Sequence, residues 1–399
     1  LSTAAKLALL GGVLLPLGGM AQPGLLGGTG SNLFLIPSVR LTEVYDDNVF
    51  FATSQRQDDF ITHISPALEG GYRTAPLSLL GYYGFDAEVF ADHSDLNTAQ
   101  ARQQGGVDFR YEASRQLTVE AEAMYNETET PEELNFTAVL QPGRQTAETY
   151  SAGASLDYRI DPVMEADLSY TFAHDDLEGD FDTDTHTVST GLAREMGPRD
   201  TVSVGYSFQR YLFDLGDDVS AHVPTVGWAH AFTPRTSVEL LGGPRISDGD
   251  VDPEVSASIR HSLQRGQLSL TYARGESTVI GQTDTFTTEM IGGAAEFAIG
   301  PALEVRASAS YTENSQGALD ADVIRAGVEA SYEINDYLSL IASYRYSTQQ
   351  GVLGGPDDLD IDRNVAYIGV LISHPARIVP KAKRAAASRF GPLAPEPPR

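Results

Sequence analysis

Cysteine is absent from the 399 residues, tryptophan occurs once, and Lys and Arg together number 27 against 55 Asp and Glu. Without cysteine there are no disulfide staples and no thiolate metal ligands. A formal net charge of −28 leaves no clustered cations for phosphates, so no nucleic-acid partner is expected. No stretch is continuously apolar over the ~20 residues that a membrane-spanning helix needs. The eight histidines are scattered without a His-x-x-x-His or His-Glu-x-x-His grouping, which predicts no zinc site. No Gly-x-Ser-x-Gly elbow and no phosphate-binding loop occurs either, so neither an enzyme nor a cofactor is expected.

What is abundant is glycine (38), tyrosine (18) and phenylalanine (16), arranged with a period of two. Leu117, Val119, Ala121, Ala123 and Tyr125 interleave with Thr118, Glu120, Glu122, Met124 and Asn126. Met164, Ala166, Leu168, Tyr170 and Phe172 interleave with Glu165, Asp167, Ser169 and Thr171. The same weave runs through residues 202–208, 255–263, 303–311, 324–334 and 338–346. Alternation of this kind makes a strand with one apolar and one polar face, whereas a helix would repeat every three or four residues.

The connections alternate between tight and long. Tight ones fall near residues 74–76, 114–116, 160–162, 197–200, 233–235, 265–266, 300–301 and 335–336, where Gly, Pro, Asn and Asp supply turn geometry. Longer acidic segments are expected at 46–59, 92–99, 130–145, 175–183, 214–218, 247–252, 277–284, 313–322 and 349–360. Short turns at one end and long loops at the other define an all-β fold, a transmembrane antiparallel up-and-down β-barrel. The spacing predicts about 18 strands, with 16 as the alternative. Tyr125, Tyr158, Tyr170, Phe172, Tyr206, Phe208, Tyr272, Tyr311, Tyr332, Tyr344 and Tyr346 fall near strand ends on the apolar face, where an interfacial aromatic girdle belongs.

The flanks read differently. Lys6, the apolar run Leu7 to Leu17 and the small-residue site Gly19-Met20-Ala21 predict a signal peptide over 1–21, with a periplasmic segment at 22–32 and the barrel at 33–375. Residues 376–399 carry Arg377, Lys381, Lys383, Arg384, Arg389 and Arg399 among prolines, with Glu396 as the acid, and read as a disordered basic periplasmic tail.

The run Tyr45-Asp46-Asp47-Asn48-Val49-Phe50, followed by Asp58-Asp59-Phe60-Ile61-Thr62-His63-Ile64-Ser65-Pro66, resembles the outer-membrane β-barrel porin-2 family, in which such segments end the first strand and open the second. The resemblance covers the first hairpin only. It implies an association with exopolysaccharide synthesis or export machinery and carries no catalytic residues. A departure lies at the last strand, which ends in His374-Pro375 rather than in the terminal aromatic that barrel assembly machinery commonly reads.

Charge cannot face lipid cheaply near the midplane, so ionisable residues on the polar faces should line the lumen. The candidates are Glu120, Glu122, Glu165, Asp167, Glu304, Arg306, Arg325, Glu329 and Arg345, within a larger set in which acids outnumber arginines. Glu132, Glu133 and Phe136, in the unusually apolar third long loop, are the candidates for a constriction. Two functions follow: a porin-like or polysaccharide-export channel preferring cations, or a non-conducting barrel whose acidic loops hold divalent cations. Outer-membrane lipid and lipopolysaccharide are the expected surroundings of either.

Overall fold

The computed structural model describes residues 33–131, 134, 144–179, 181–247, 249–317, 319–352 and 359–374. The expected signal peptide, N-terminal segment and basic tail lie outside the described residues. Within them the chain runs as β1 (Leu33–Asp46), β2 (Asp59–Arg73), β3 (Leu77–Phe90), β4 (Thr98–Glu112), β5 (Leu117–Thr128) and β6 (Ala147–Asp161). It continues through β7 (Met164–Leu177), β8 (Thr183–Glu195), β9 (Asp200–Phe213), β10 (Val219–Thr233), β11 (Thr236–Ser247) and β12 (Asp250–Leu263). The last third is β13 (Gly266–Thr278), β14 (Thr285–Ile299), β15 (Leu303–Gln316), β16 (Leu319–Asn335), β17 (Leu338–Val352) and β18 (Leu359–Ser373).

Each strand pairs antiparallel with its neighbours in the sequence, and β1 also pairs with β18, so the 18-stranded sheet closes on itself. Closure removes every sheet edge and satisfies the backbone internally, which is the condition for crossing a bilayer with strands. The outer wall meets the other condition. Leu79, Val107, Leu156, Leu168, Val204, Leu240, Ile259, Leu270, Ile291, Val328 and Ile368 are all exposed, a continuous apolar surface that water would not tolerate. This is a multi-pass β-barrel of the outer-membrane type, crossing with strands, and no described helix is long and apolar enough to do so.

Tyrosines edge that surface. On β6, Tyr150 and Tyr158 are exposed at 43% and 46% and lie about 26 Å apart along the strand, on the scale of the ~25 Å apolar band of such barrels. Toward the long loops the tyrosine hydroxyls meet polar groups placed just beyond them. Tyr150 donates to Glu148 at 2.6 Å and Tyr311 to Asp322 at 2.7 Å, while Tyr206 meets His222 at 2.6 Å. An apolar ring with a wet tip suits a membrane interface.

The termini and the short turns share one end of the barrel, and the longer connections share the other. Two of the expected long loops are tight. Ser247 pairs with Asp250, and Gln316 pairs with Leu319, so the hairpins β11–β12 and β15–β16 continue their ladders almost to the tip. Acid content alone does not separate a hairpin ladder from a loop here. Asp250 and Asp252 alternate with Val251 and Pro253, and Asp320 and Asp322 with Ala321 and Val323, and a ladder satisfies the backbone whatever the side chains are.

Inside, β8–β10 carry small residues packed closely. Ser189 and Ser207 are 2% exposed and their hydroxyls meet at 3.1 Å. Gly205 leaves room for the Thr225 hydroxyl, and Gly227 for that of Ser203.

Candidate functional site

Directly paired residues of a ladder share a face, and successive residues alternate. The registers therefore place every charged residue named for the strands on the inner wall. Glu120 lies opposite Arg110 and Glu122 opposite Asp108 across β4–β5. Glu165 lies opposite Arg159 and Asp167 opposite Asp157 across β6–β7. Arg306 lies opposite Glu329 across β15–β16, Arg325 opposite Ser310 and Ser347, and Arg345 opposite Gly327 and Val365.

These residues form two groups. In the first, Arg110 is ion-paired with Glu120 and stands 3.7 Å from Glu112. Asp108 with Glu122, and Asp157 with Asp167, set carboxylates directly against each other, a placement that costs stability in a sheet. The wall relieves part of that cost by making space. Asp167 leans over Gly191, and Glu122 over Gly153, where a Cβ would stand 3.3 Å from the Glu122 carboxylate. A recess of about 490 Å³ opens here, lined by Arg73, Asp108, Glu120, Glu122 and the hydroxyls of Ser155, Ser169 and Thr171. In the second group Arg306 is ion-paired with Glu304 and lies 3.6 Å from Glu329, which also accepts the Tyr367 hydroxyl at 2.8 Å. Among the described residues, no three His, Asp or Glu converge as a metal site would require.

Toward the long loops the interior changes character. The connection between β1 and β2 folds inward, and Val49 packs with Val44, Ile61, Phe90 and Val365. Phe51, 1% exposed, packs on Ile361 and under the Arg363 guanidinium, 4.3 Å from its ring centre. Its φ of +55° is left-handed, a conformation costing about 1–3 kcal/mol that persists only where packing over-determines it. Across the mouth, Ile280 of the β13–β14 connection packs with Ala147 and Leu177, and Leu134 packs against them. Below it, Arg245 is ion-paired with Glu276, both side chains only 6% exposed.

Glu132, Glu133 and Phe136 lie outside the described residues. At the flank of the same loop Arg144 reaches inward, 2.6 Å from Glu88 and 3.1 Å from Glu129, over the Phe90 ring. The sequence alone does not single out the mouth residues Asp46, Phe51, Arg245 and Arg363 as site residues. Asp46 and Arg363 stand in acid-rich runs that read as solvated loop, and the Tyr45–Phe50 motif was the signal that marks one side of their contact.

No family model matches the chain, and no curated protein matches it. Among solved structures it is similar to OccK2 (OpdF) of Pseudomonas aeruginosa in complex with glucuronate, at 11% identity over 86% of this chain and 100% of the other, TM-score 0.48. It is also similar to OccK11 (OpdR) of Pseudomonas aeruginosa, at 14% identity over 88% and 99%, TM-score 0.45. The siderophore receptor PirA from Pseudomonas aeruginosa is similar at 9% identity over 85% and 80%, TM-score 0.44. The barrel assignment rests on the ladders and the apolar outer wall described above.

Proposed function

We propose that the protein is a porin-like outer-membrane channel whose inner wall favours cations. The observation that carries this reading is the excess of inward carboxylates, concentrated at Asp108, Glu120, Glu122, Asp157, Glu165 and Asp167. A low-dielectric wall focuses the field of such an excess into the lumen. Arg110 and Arg159, opposite Glu120 and Glu165, offset part of it and leave Asp108, Glu122, Asp157 and Asp167 as the excess, while Arg306 is engaged by Glu304 and Glu329. Reversal potentials across a planar bilayer under a salt gradient test the proposal. Cation preference that weakens as salt rises is expected, because the screening length falls to about 8 Å at physiological ionic strength. Anion preference at low salt refutes it.

The inward-folded mouth supports a second reading, a barrel that conducts little and acts at the surface. In that reading the outward acids beyond the tyrosines, including Glu43, Glu148, Glu313 and Asp322, hold divalent cations against lipopolysaccharide phosphates. Absence of any conductance favours it over the channel. The first-hairpin resemblance adds a polysaccharide as cargo to the channel reading, and loss of secreted polysaccharide on deletion of the gene is the corresponding test.

A further inference from the structure

The ladder that closes the barrel joins Ser38–Asp46 to Val365–Ser373, so the upper part of β18, Leu359–Asn364, runs past the end of β1. Side chains of the Tyr45–Phe50 motif take over where the ladder stops. Asp46, 1% exposed, accepts from Arg363 Nε at 3.1 and 3.0 Å and from its terminal nitrogen at 2.6 Å. Asp47 accepts from the backbone N–H and the carboxamide of Asn364, both at 2.7 Å, and its own N–H donates to the Asn364 carbonyl at 3.2 Å. The Asn48 carboxamide donates to the carbonyls of Asp362 and Ala52 at 3.0 Å each and accepts the Ala52 N–H at 2.8 Å. Farther along the same loop Arg56 reaches Asp362 at 2.9 Å. At the loop's far end Asp59 accepts the N–H groups of Ala91, Asp92 and His93 at 3.0–3.3 Å, and the His93 ring at 2.8 Å.

From these contacts we propose that the motif is the clasp of the barrel: it recognises the last strand and locks the seam between β1 and β18 at the loop end. Three consecutive polar residues each find a partner on β18 three hundred and more positions away, and the next two, Val49 and Phe50, lie in or against the apolar cluster at that seam. A set of charge-assisted bonds with fixed geometry specifies register as well as proximity. A one-residue slip of β18 would bring Arg363 out of reach of Asp46 and turn it to the opposite face. The inward fold of the loop follows from its service to the seam, since Phe51 and Val49 must reach Ile361 and Val365 on the inner wall. This inference stands whether or not the barrel conducts.

Amide hydrogen exchange on the full chain folded in detergent tests it. In Asp46→Asn, exchange over Ser38–Asp46 and Val365–Ser373 should quicken about tenfold or more while the β5–β6 ladder keeps its protection. Asp47→Asn, half-buried and beyond the ladder, carries the test where Asp46→Asn does not fold, with a smaller acceleration confined to the same strands. Arg56→Gln, at the exposed edge of the clasp, should give the least. Exchange that is unchanged at the seam, or faster by the same factor in every ladder, overturns the proposal.

Discussion

The two halves of the barrel interior solve the problem of inward charge in opposite ways. Near the long loops several buried charges are met by fixed partners, as Asp46 is by Arg363 and Arg245 by Glu276, and apolar side chains close over the seam. Nearer the short turns Asp108 stands opposite Glu122 and Asp157 opposite Asp167 across their ladders, and Arg110 remains 45% exposed in its pairing with Glu120. Desolvated charge demands compensation, whereas charge beside water is tolerated with little. The first half is built for order and the second holds its field available to whatever occupies the lumen.

Substitutions should separate the halves sharply. The largest effect is expected for Arg245→Met, which strands the buried Glu276 and should lower stability to urea by about 3–5 kcal/mol. The matching change Arg110→Met, at an exposed pair, should cost about 0–1 kcal/mol, and equal losses would abolish the contrast. Phe51→Ala should follow at about 3–5 kcal/mol, less whatever left-handed strain it relieves, measured by the temperature at which the folded barrel loses its native migration in detergent. Gly369→Val, whose added Cβ would stand 2.3 Å from the Leu41 carbonyl and 2.4 Å from Thr42, should cost about 1–3 kcal/mol by overpacking the seam. The smallest stability effect belongs to Glu122→Gln, which removes a like-charge opposition and should gain a few tenths of a kcal/mol. Its effect is expected instead in the reversal potential, which should fall toward zero, and a large loss of stability would show that the turn-end carboxylates hold the wall together.

Much of this division was open to reading in the amino-acid order. Period-two alternation along Leu117–Thr128 and Met164–Leu177 sets both the strand and the face, because a strand offers its side chains two directions only. Given the barrel, Glu120 and Asp167 then have one place to go. The direction taken by a loop is not encoded in that way. Val49 and Phe51 lie in a run that is acidic on average, and their burial depends on Ile361 and Val365 arriving from the far end of the chain. The same averaging makes loops of the hairpin tips at 247–252 and 313–322, where the ladders continue beneath the acids. Local composition reports solvent contact, and the ladder and the clasp are both long-range pairings that composition does not register.

The closing pairing has a topological consequence of its own. Ser38 stands directly across from Ser373, and an even number of crossings brings the polypeptide back to the compartment it left. Whatever is attached ahead of Leu33 or behind His374 therefore starts on the same side of the membrane, from adjacent strands. An epitope set at Leu33 or at His374 reports one compartment, and an epitope inserted at the β9–β10 connection reports the other. Two fluorophores fixed at Ser38 and Ser373 would stand as near neighbours, so the fully wrapped sheet can be distinguished from an unrolled one by energy transfer alone.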